Sequence, residues 1–375
     1  MTDESPILLS APDVGKAERD AILRAFDGGW IAPAGPELDI FESELCEYTG
    51  AEACVALSSG TAALHLALLA AGVQPGQDVV VQSATFAASA FAVVHTGAAP
   101  VFMDSEWDTW CLDPTILRAF LVGRAGEGSL PAAVMPVDLY GSTANYAALL
   151  EVCAEFGVPL VRDAAEALGS ISTTGAVGET GSPTALSFNG NKIITTSGGG
   201  ALLADQETVE RCRYLATQAR QPTLQYEHRE IGYNYRLSNL LAAVGRAQLA
   251  TIEEKVERRR SILASYRDAL PEIEWCPYGQ TPRPNAWLSV GLLPVGTSPI
   301  DVCETLKEAG IEARPAWKPM HQQEVFSQSE FVAGFGVADE LYERGICLPS
   351  GSSLTDQEVE RVISSLLRTL EPVRR

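Results

Sequence analysis

Lys192 closes the stretch Ser187-Phe188-Asn189-Gly190-Asn191-Lys192, and two β-branched pairs after it lead into Gly198-Gly199-Gly200. The chain has only five lysines, and the 23-residue window 181–203 holds no other charged side chain. A surface lysine usually keeps company with other charges. A lone lysine among apolar residues and glycines points to a partly desolvated amine, whose neutral form is a nucleophile able to form a Schiff base. The alternative is a lysine snorkelling from a strand edge.

Two further features bear on that choice. Gly157-Val158-Pro159-Leu160-Val161-Arg162-Asp163 reads as a short apolar strand ending in a carboxylate, with Glu166 three residues on. An open α/β sheet takes its ligands at such strand ends. Asp163 could equally cap the following turn. Upstream, Ala53–Leu57 reads as a buried strand and Thr61–Leu69 as a helix, joined by Ser58-Ser59-Gly60. Such a turn lets the backbone and the first helical N–H groups approach an anion, although it also serves as an ordinary cap. An amine, a carboxylate and an anion cradle together suit pyridoxal phosphate, whose ring nitrogen needs an anionic partner to stay protonated. His65, on the apolar helix face, reads as a packed core histidine.

With these residues stand Thr85-Phe86, Asp163-Ala-Ala-Glu166 and Gly232-Tyr-Asn-Tyr-Arg236. In this order the chain resembles the DegT/StrS-type sugar aminotransferases nearly end to end, from Gly29–Pro36 to Gly345–Ser350. The resemblance implies an α/β protein of fold type I, with a mostly parallel sheet sandwiched by helices and a smaller C-terminal α/β domain. It implies pyridoxal phosphate held by Lys192 as the internal Schiff base, with Asp163 at the pyridine nitrogen and Phe86 over the ring. Gly60, Thr61 and Ala62 would offer backbone N–H groups to the phosphate, and Ser187 its hydroxyl. Glu166 would lie beside the ring and the incoming sugar. Asn234 would reach the phosphate from a partner subunit, making a homodimer with composite sites. Arg229, Arg314, Lys318 and His321 are its candidates for substrate contact. Trp317, in the same segment, is as much a packing residue as a contact.

The resemblance also implies a reaction. L-Glutamate would leave its nitrogen on the cofactor, and a nucleotide-linked keto-sugar would take it up in a ping-pong scheme. Some relatives with histidine in place of this lysine remove a hydroxyl instead; Lys192 favours transamination. The stretches Asp104–Trp110, Asp163–Ser170 and Ser187–Lys192 resemble the bacillosamine branch, which aminates C4 of a UDP-linked 2-acetamido-4-keto-6-deoxy sugar. A GDP-linked 4-keto sugar, a dTDP-linked 3-keto sugar and a non-catalytic cofactor-binding regulator are the alternatives.

The rest of the chain must position these groups. Strand patterns at 53–57, 78–82, 100–103, 132–137 and 158–162 alternate with helical ones, which implies a mostly parallel sheet with right-handed crossovers. Short strands near 184–188 and 200–204 would flank the lysine loop. We divide the chain into a large domain, 1–245 with an N-terminal arm, and a smaller one, 246–375, connected by a long helix within the helical stretch 238–268. Prolines and glycines from Pro271 to Pro284 punctuate that exit. Strands at 286–293, 311–314 and 346–348 and helices at 299–309 and 355–370 would build the smaller domain.

Composition limits the partners. A net charge of −21 argues against nucleic acid, which wants a basic surface. An anionic sugar nucleotide would need local cations, for which Lys192, Arg229, Arg236, Arg314 and Lys318 are candidates. Arg258-Arg259-Arg260 follows three glutamates at helical spacing and reads as a salt-bridged surface face. No apolar run reaches the roughly 18 residues of a membrane span, and the first residues carry no signal-peptide pattern. Eight scattered cysteines without Cys-x-x-Cys argue against metal and disulfides, and for reduced thiols in the cytoplasm. No Gly-x-Gly-x-x-Gly or Walker loop supports a dehydrogenase or kinase.

Overall fold

A computed structural model describes residues 5–370. In chain order its strands are β1 (Ala53–Leu57), β2 (Asp78–Gln82), β3 (Ala99–Met103), β4 (Ala133–Met135), β5 (Arg162–Asp163), β6 (Thr184–Ser187), β7 (Gly200–Ala204), β8 (Glu274–Trp275), β9 (Ser289–Leu292), β10 (Arg314–Pro315), β11 (Phe331–Val332) and β12 (Gly345–Leu348). One ladder runs β11-β3-β2-β4 and another β5-β6-β7-β1. Parallel bridges Val134↔Leu160 and Val137↔Asp163 join them edge to edge. Only β7 opposes its neighbours in the resulting sheet, so the mostly parallel sheet read from the sequence is present.

Alternating side chains of this sheet enter two different cores. Cys54, Ala56, Val80, Val134, Leu186, Ala201 and Leu203 lie in one. Ala53, Val55, Leu57, Val79, Val81, Met135, Ala185 and Leu202 lie in the other. Strands apolar at every position are thereby explained, because each pleat face is covered by helices. The helix Gly60–Ala70 is apolar nearly all round and buried through most of its length, as expected of a helix inside such a layer.

A second, antiparallel sheet runs β10-β12-β9-β8. Its core joins Tyr266, Leu306, Ile346, Val362 and Leu366, drawn from the helices Ile252–Ala269, Pro299–Glu308 and Asp356–Leu370 and from β12. Ile7 bridges Ile311 in parallel, fastening the N-terminal arm here.

Three local readings change. The strand expected at 158–162 narrows to Arg162–Asp163, because Pro159 has no N–H to pair and only its carbonyl is used, by Val134 N–H at 2.9 Å. The helical stretch 238–268 is two helices, Asn239–Leu249 and Ile252–Ala269. Their break at Ala250-Thr251 carries neither glycine nor proline, so no breaker signals it. Finally, β11 returns from the C-terminal third to pair with β3, so residues beyond 246 serve both sheets.

Candidate active site

A cavity of about 590 Å³ opens at the C-terminal ends of the parallel strands, lined by Gly60, Thr61, Phe86, Asp163, Glu166, Ser187, Lys192 and Arg314 among others. The chain reaches it from three directions. Behind β1, Ser59 caps the helix Gly60–Ala70, its hydroxyl accepting the Ala62 N–H at 3.1 Å. The N–H groups of Gly60 and Thr61, at the first helical positions, have no acceptor within the helix. The strand β7 crosses close behind this turn. A Cβ on Gly200 would stand 2.5 Å from the Ser59 carbonyl carbon, so only glycine fits.

Asp163 ends β5 and is 3% exposed. Its Oδ2 accepts the Ser89 hydroxyl at 2.7 Å and its Oδ1 the Ala165 N–H at 3.1 Å. Burial pushes this carboxyl above the ordinary aspartate range, and those two donors with the Lys192 charge pull the other way. Glu166, on the following turn, is equally buried. One oxygen accepts the Tyr140 N–H at 2.8 Å and the other lies 3.2 Å from Lys192 Nζ. Burial raises Glu166 to about 7 against the opposing pull of the lysine charge. Tyr140 itself has φ 55°, a left-handed backbone uncommon for a bulky residue. That conformation accompanies an N–H aimed at the carboxylate.

Lys192 is not alone, as its charge-free sequence window suggested. Its partner is Glu166, 26 residues upstream, and its ammonium also sits 3.9 Å from the centre of the Trp287 ring. The lysine side chain retains 10% exposure, toward the cavity it lines. The loop carrying it is tied down by the Asn191 carbonyl, which accepts from Trp287 Nε1 at 2.7 Å and Ser10 Oγ at 2.8 Å. Phe86 stands 56% exposed at the cavity wall, its ring tilted against that of Trp317 at 5.5 Å.

Of the residues expected here, Gly60, Thr61, Phe86, Asp163, Glu166, Ser187, Lys192, Arg314 and Trp317 line one cavity. The others do not. Ala62 gives its N–H to Ser59 and is outside the lining. His321 has both ring nitrogens engaged, Nδ1 with Ser83 Oγ at 2.7 Å and Nε2 with Asp339 at 3.1 Å. It also stacks on Phe331 at 3.7 Å, so it is a packing residue joining β11 to the sheet. Arg236 is bound to Glu42 at 2.6 Å and to the Ala56 carbonyl, which spends its charge inside the protein. Arg229 lies in solvent against Glu227, and Lys318 is exposed outside the lining. Asn234 is exposed, accepts from Gln218 at 3.1 Å and is likewise outside. Arg259, read as surface, is 1% exposed and donates to the carbonyls of Trp287 and Ser350.

Ser89, Tyr140 and Trp287 were missed. Ser89 left one signal: it is the only polar side chain before His95 in the helix Ala87–His95. Tyr140 and Trp287 left none, because each reaches the site through a fold contact.

Comparison with known proteins follows the same lines. Residues 12–367 match the sequence model of the DegT/DnrJ/EryC1/StrS aminotransferase family. The chain is 45% identical to the putative pyridoxal phosphate-dependent aminotransferase EpsN of Bacillus subtilis, over 98% of this chain and 96% of that protein. It is 34% identical to a GDP-perosamine synthase of Caulobacter vibrioides, over 99% and 100% respectively. The PLP-form structure of the putative sugar aminotransferase Spr1654 from Streptococcus pneumoniae superposes with a TM-score of 0.88. It covers 98% of this chain and 99% of that one, at 25% identity.

Proposed function

This chain belongs to the DegT/DnrJ/EryC1/StrS aminotransferase family, and on that premise we propose that it aminates C4 of a UDP-linked 2-acetamido-4-keto-6-deoxy sugar with L-glutamate as donor. It is a sugar aminotransferase, and pyridoxal phosphate is its cofactor. The observation that carries the reading is the convergence of Lys192, Asp163 and Glu166 in one cavity with a helix N-terminus.

The donor set fits the cofactor. Lys192 would hold its carbonyl carbon and Phe86 would cover its ring. The Gly60 and Thr61 N–H groups and the Ser187 hydroxyl would hold its phosphate, where a Cβ on Gly60 would crowd Ser187 at 3.0 Å. Asp163, oriented by Ser89 and Ala165, would hold a proton at the ring nitrogen. Bound pyridoxal phosphate supplies the electron sink and carries the amino group between donor and sugar. Lys192 Nζ would move the proton to and from the reacting carbons, and Arg314 at the cavity wall would meet the substrate's phosphates.

Asn234 cannot complete this cradle from outside its own cavity, and we assign it to a second copy in a homodimer. Leu224, Tyr226 and Ile231 stand at least 80% exposed on the preceding segment, an apolar surface that such a copy would cover. The absence of any described helix long and apolar enough to cross a membrane is compatible with the cytoplasmic location we propose. The likeness to GDP-perosamine synthases favours a second reading, a GDP-linked 4-keto sugar.

Absorbance of the purified protein before and after L-glutamate tests the first half-reaction: the visible band of the lysine-linked cofactor should disappear. UDP-, GDP- and dTDP-linked keto-sugars are then added separately. Restoration by the UDP compound alone supports our reading, and restoration by the GDP compound alone selects the second. A band indifferent to every amino donor would overturn both.

A further inference from the structure

We infer that Glu166 is the base that takes the proton from Lys192 when the lysine reacts, and that it keeps this proton for as long as Nζ is uncharged. The inference rests on Lys192 being the residue that carries the cofactor. Glu166 Oε1 lies 3.2 Å from Nζ in direct contact, and Oε2 is held by the Tyr140 N–H. At 3% exposure, water cannot compensate a carboxylate left without its cation. The titratable groups coupled to it electrostatically are Lys192, Asp163, Tyr140 and Cys347. Lys192 is the one cation among them, and the neighbouring Asp163 disfavours a second anion. Burial keeps the tyrosine and the thiol neutral. An uncompensated buried charge is costly enough that the group neutralises instead. Asp163 is less suited to the task, since Ser89 and the Ala165 N–H occupy its oxygens.

The step balances without an oxidant or reductant. One proton passes from the Nζ ammonium to Oε1, giving a neutral amine beside a carboxylic acid. The freed lone pair forms the carbon–nitrogen bond to the cofactor's aldehyde carbon. The two hydrogens remaining on Nζ leave with the aldehyde oxygen as water. When that bond is later exchanged for the donor's nitrogen, Nζ would leave as a neutral amine, free to take the proton of the donor's reacting carbon while Glu166 keeps its own.

Infrared difference spectra of the cofactor-free protein at pH 7 provide the direct test. Lys192→Ala should show a protonated carboxyl band that Lys192→Ala/Glu166→Gln lacks; its absence would overturn the inference. Separately, Glu166→Gln, with its fold checked by circular dichroism, should take up pyridoxal phosphate on the order of 100-fold more slowly, the usual scale of a general base. Uptake at the wild-type rate would also overturn it. Borohydride trapping with peptide mapping distinguishes the underlying assumption, for cofactor fixed anywhere but Lys192 removes the functional reading itself.

Discussion

Two buried ion pairs, each with one member in the segment 162–166, are built differently. Arg162 Nε meets Asp138 Oδ2 at 2.7 Å with both side chains at 0% exposure. Asp138 also accepts from the Tyr146 hydroxyl at 2.9 Å and the Ala144 N–H at 3.0 Å. Arg162 donates to the Val177 carbonyl and lies 4.1 Å from the Tyr146 ring centre. Lys192–Glu166 is longer, at 3.2 Å, and its cation reaches a cavity. The first pair is enclosed by protein, with Arg162 Nη2 left without an acceptor, and Arg162 cannot give up its proton. The second joins a lysine at a cavity wall to a carboxyl raised to about 7. A buried charge pair is structural when all its partners are protein, and chemical when one member faces space and can change charge.

Substitutions on both sides of this contrast should separate activity from stability. The largest effect belongs to the site. Asp163→Asn keeps the shape but removes the anion, and turnover should fall on the order of 100-fold or more, as for other preorganised electrostatic groups. Near-normal kcat would exclude Asp163 as the ring-nitrogen partner.

Arg162→Leu strips Asp138 of its cation, and denaturant unfolding should register a loss of about 3–5 kcal/mol. A loss within error would mean that Asp138 simply protonates.

The pH dependence of melting should separate the pairs next. The folded Glu166 carboxyl, at about 7, lies above its ordinary value of 4.5, so the folded state binds the proton more tightly. Its contribution is present below pH 4.5 and is lost as pH rises through 7. Cofactor-free Glu166→Gln should flatten that fall, whereas an unchanged profile would place the titration elsewhere.

Tyr146→Phe should have the smallest effect, about 2 kcal/mol for one hydrogen bond to a charged group. A loss as large as that of Arg162→Leu would show that the hydroxyl, not the guanidinium, holds Asp138.

Much of the site was legible because short motifs encode local geometry. Ser59-Gly60-Thr61 makes a capped helix start wherever a strand precedes it, and Asp163 follows a strand that could only be buried. Reading failed where a residue's surroundings came from afar. His321 looked available beside Lys318, yet Ser83 and Asp339 occupy its ring. Arg236 looked like a cleft cation until Glu42, 194 residues away, claimed it. Arg259 sits in a basic run that reads as surface, yet its helix presses it against the Trp287 and Ser350 carbonyls and buries it.

By itself the sequence determined the alternation of strands and helices, the residue types at the strand ends and the family they signal, because periodicity and turn chemistry act over a few residues. Tertiary structure alone decided which charges meet. It set Glu166 against Lys192, Trp287 beneath the ammonium and Ser89 on Asp163, and it turned Asn234 away from its own cavity. The physical reason is that electrostatic roles depend on distances across the fold and on exclusion of water, and neither is written in the spacing along a chain.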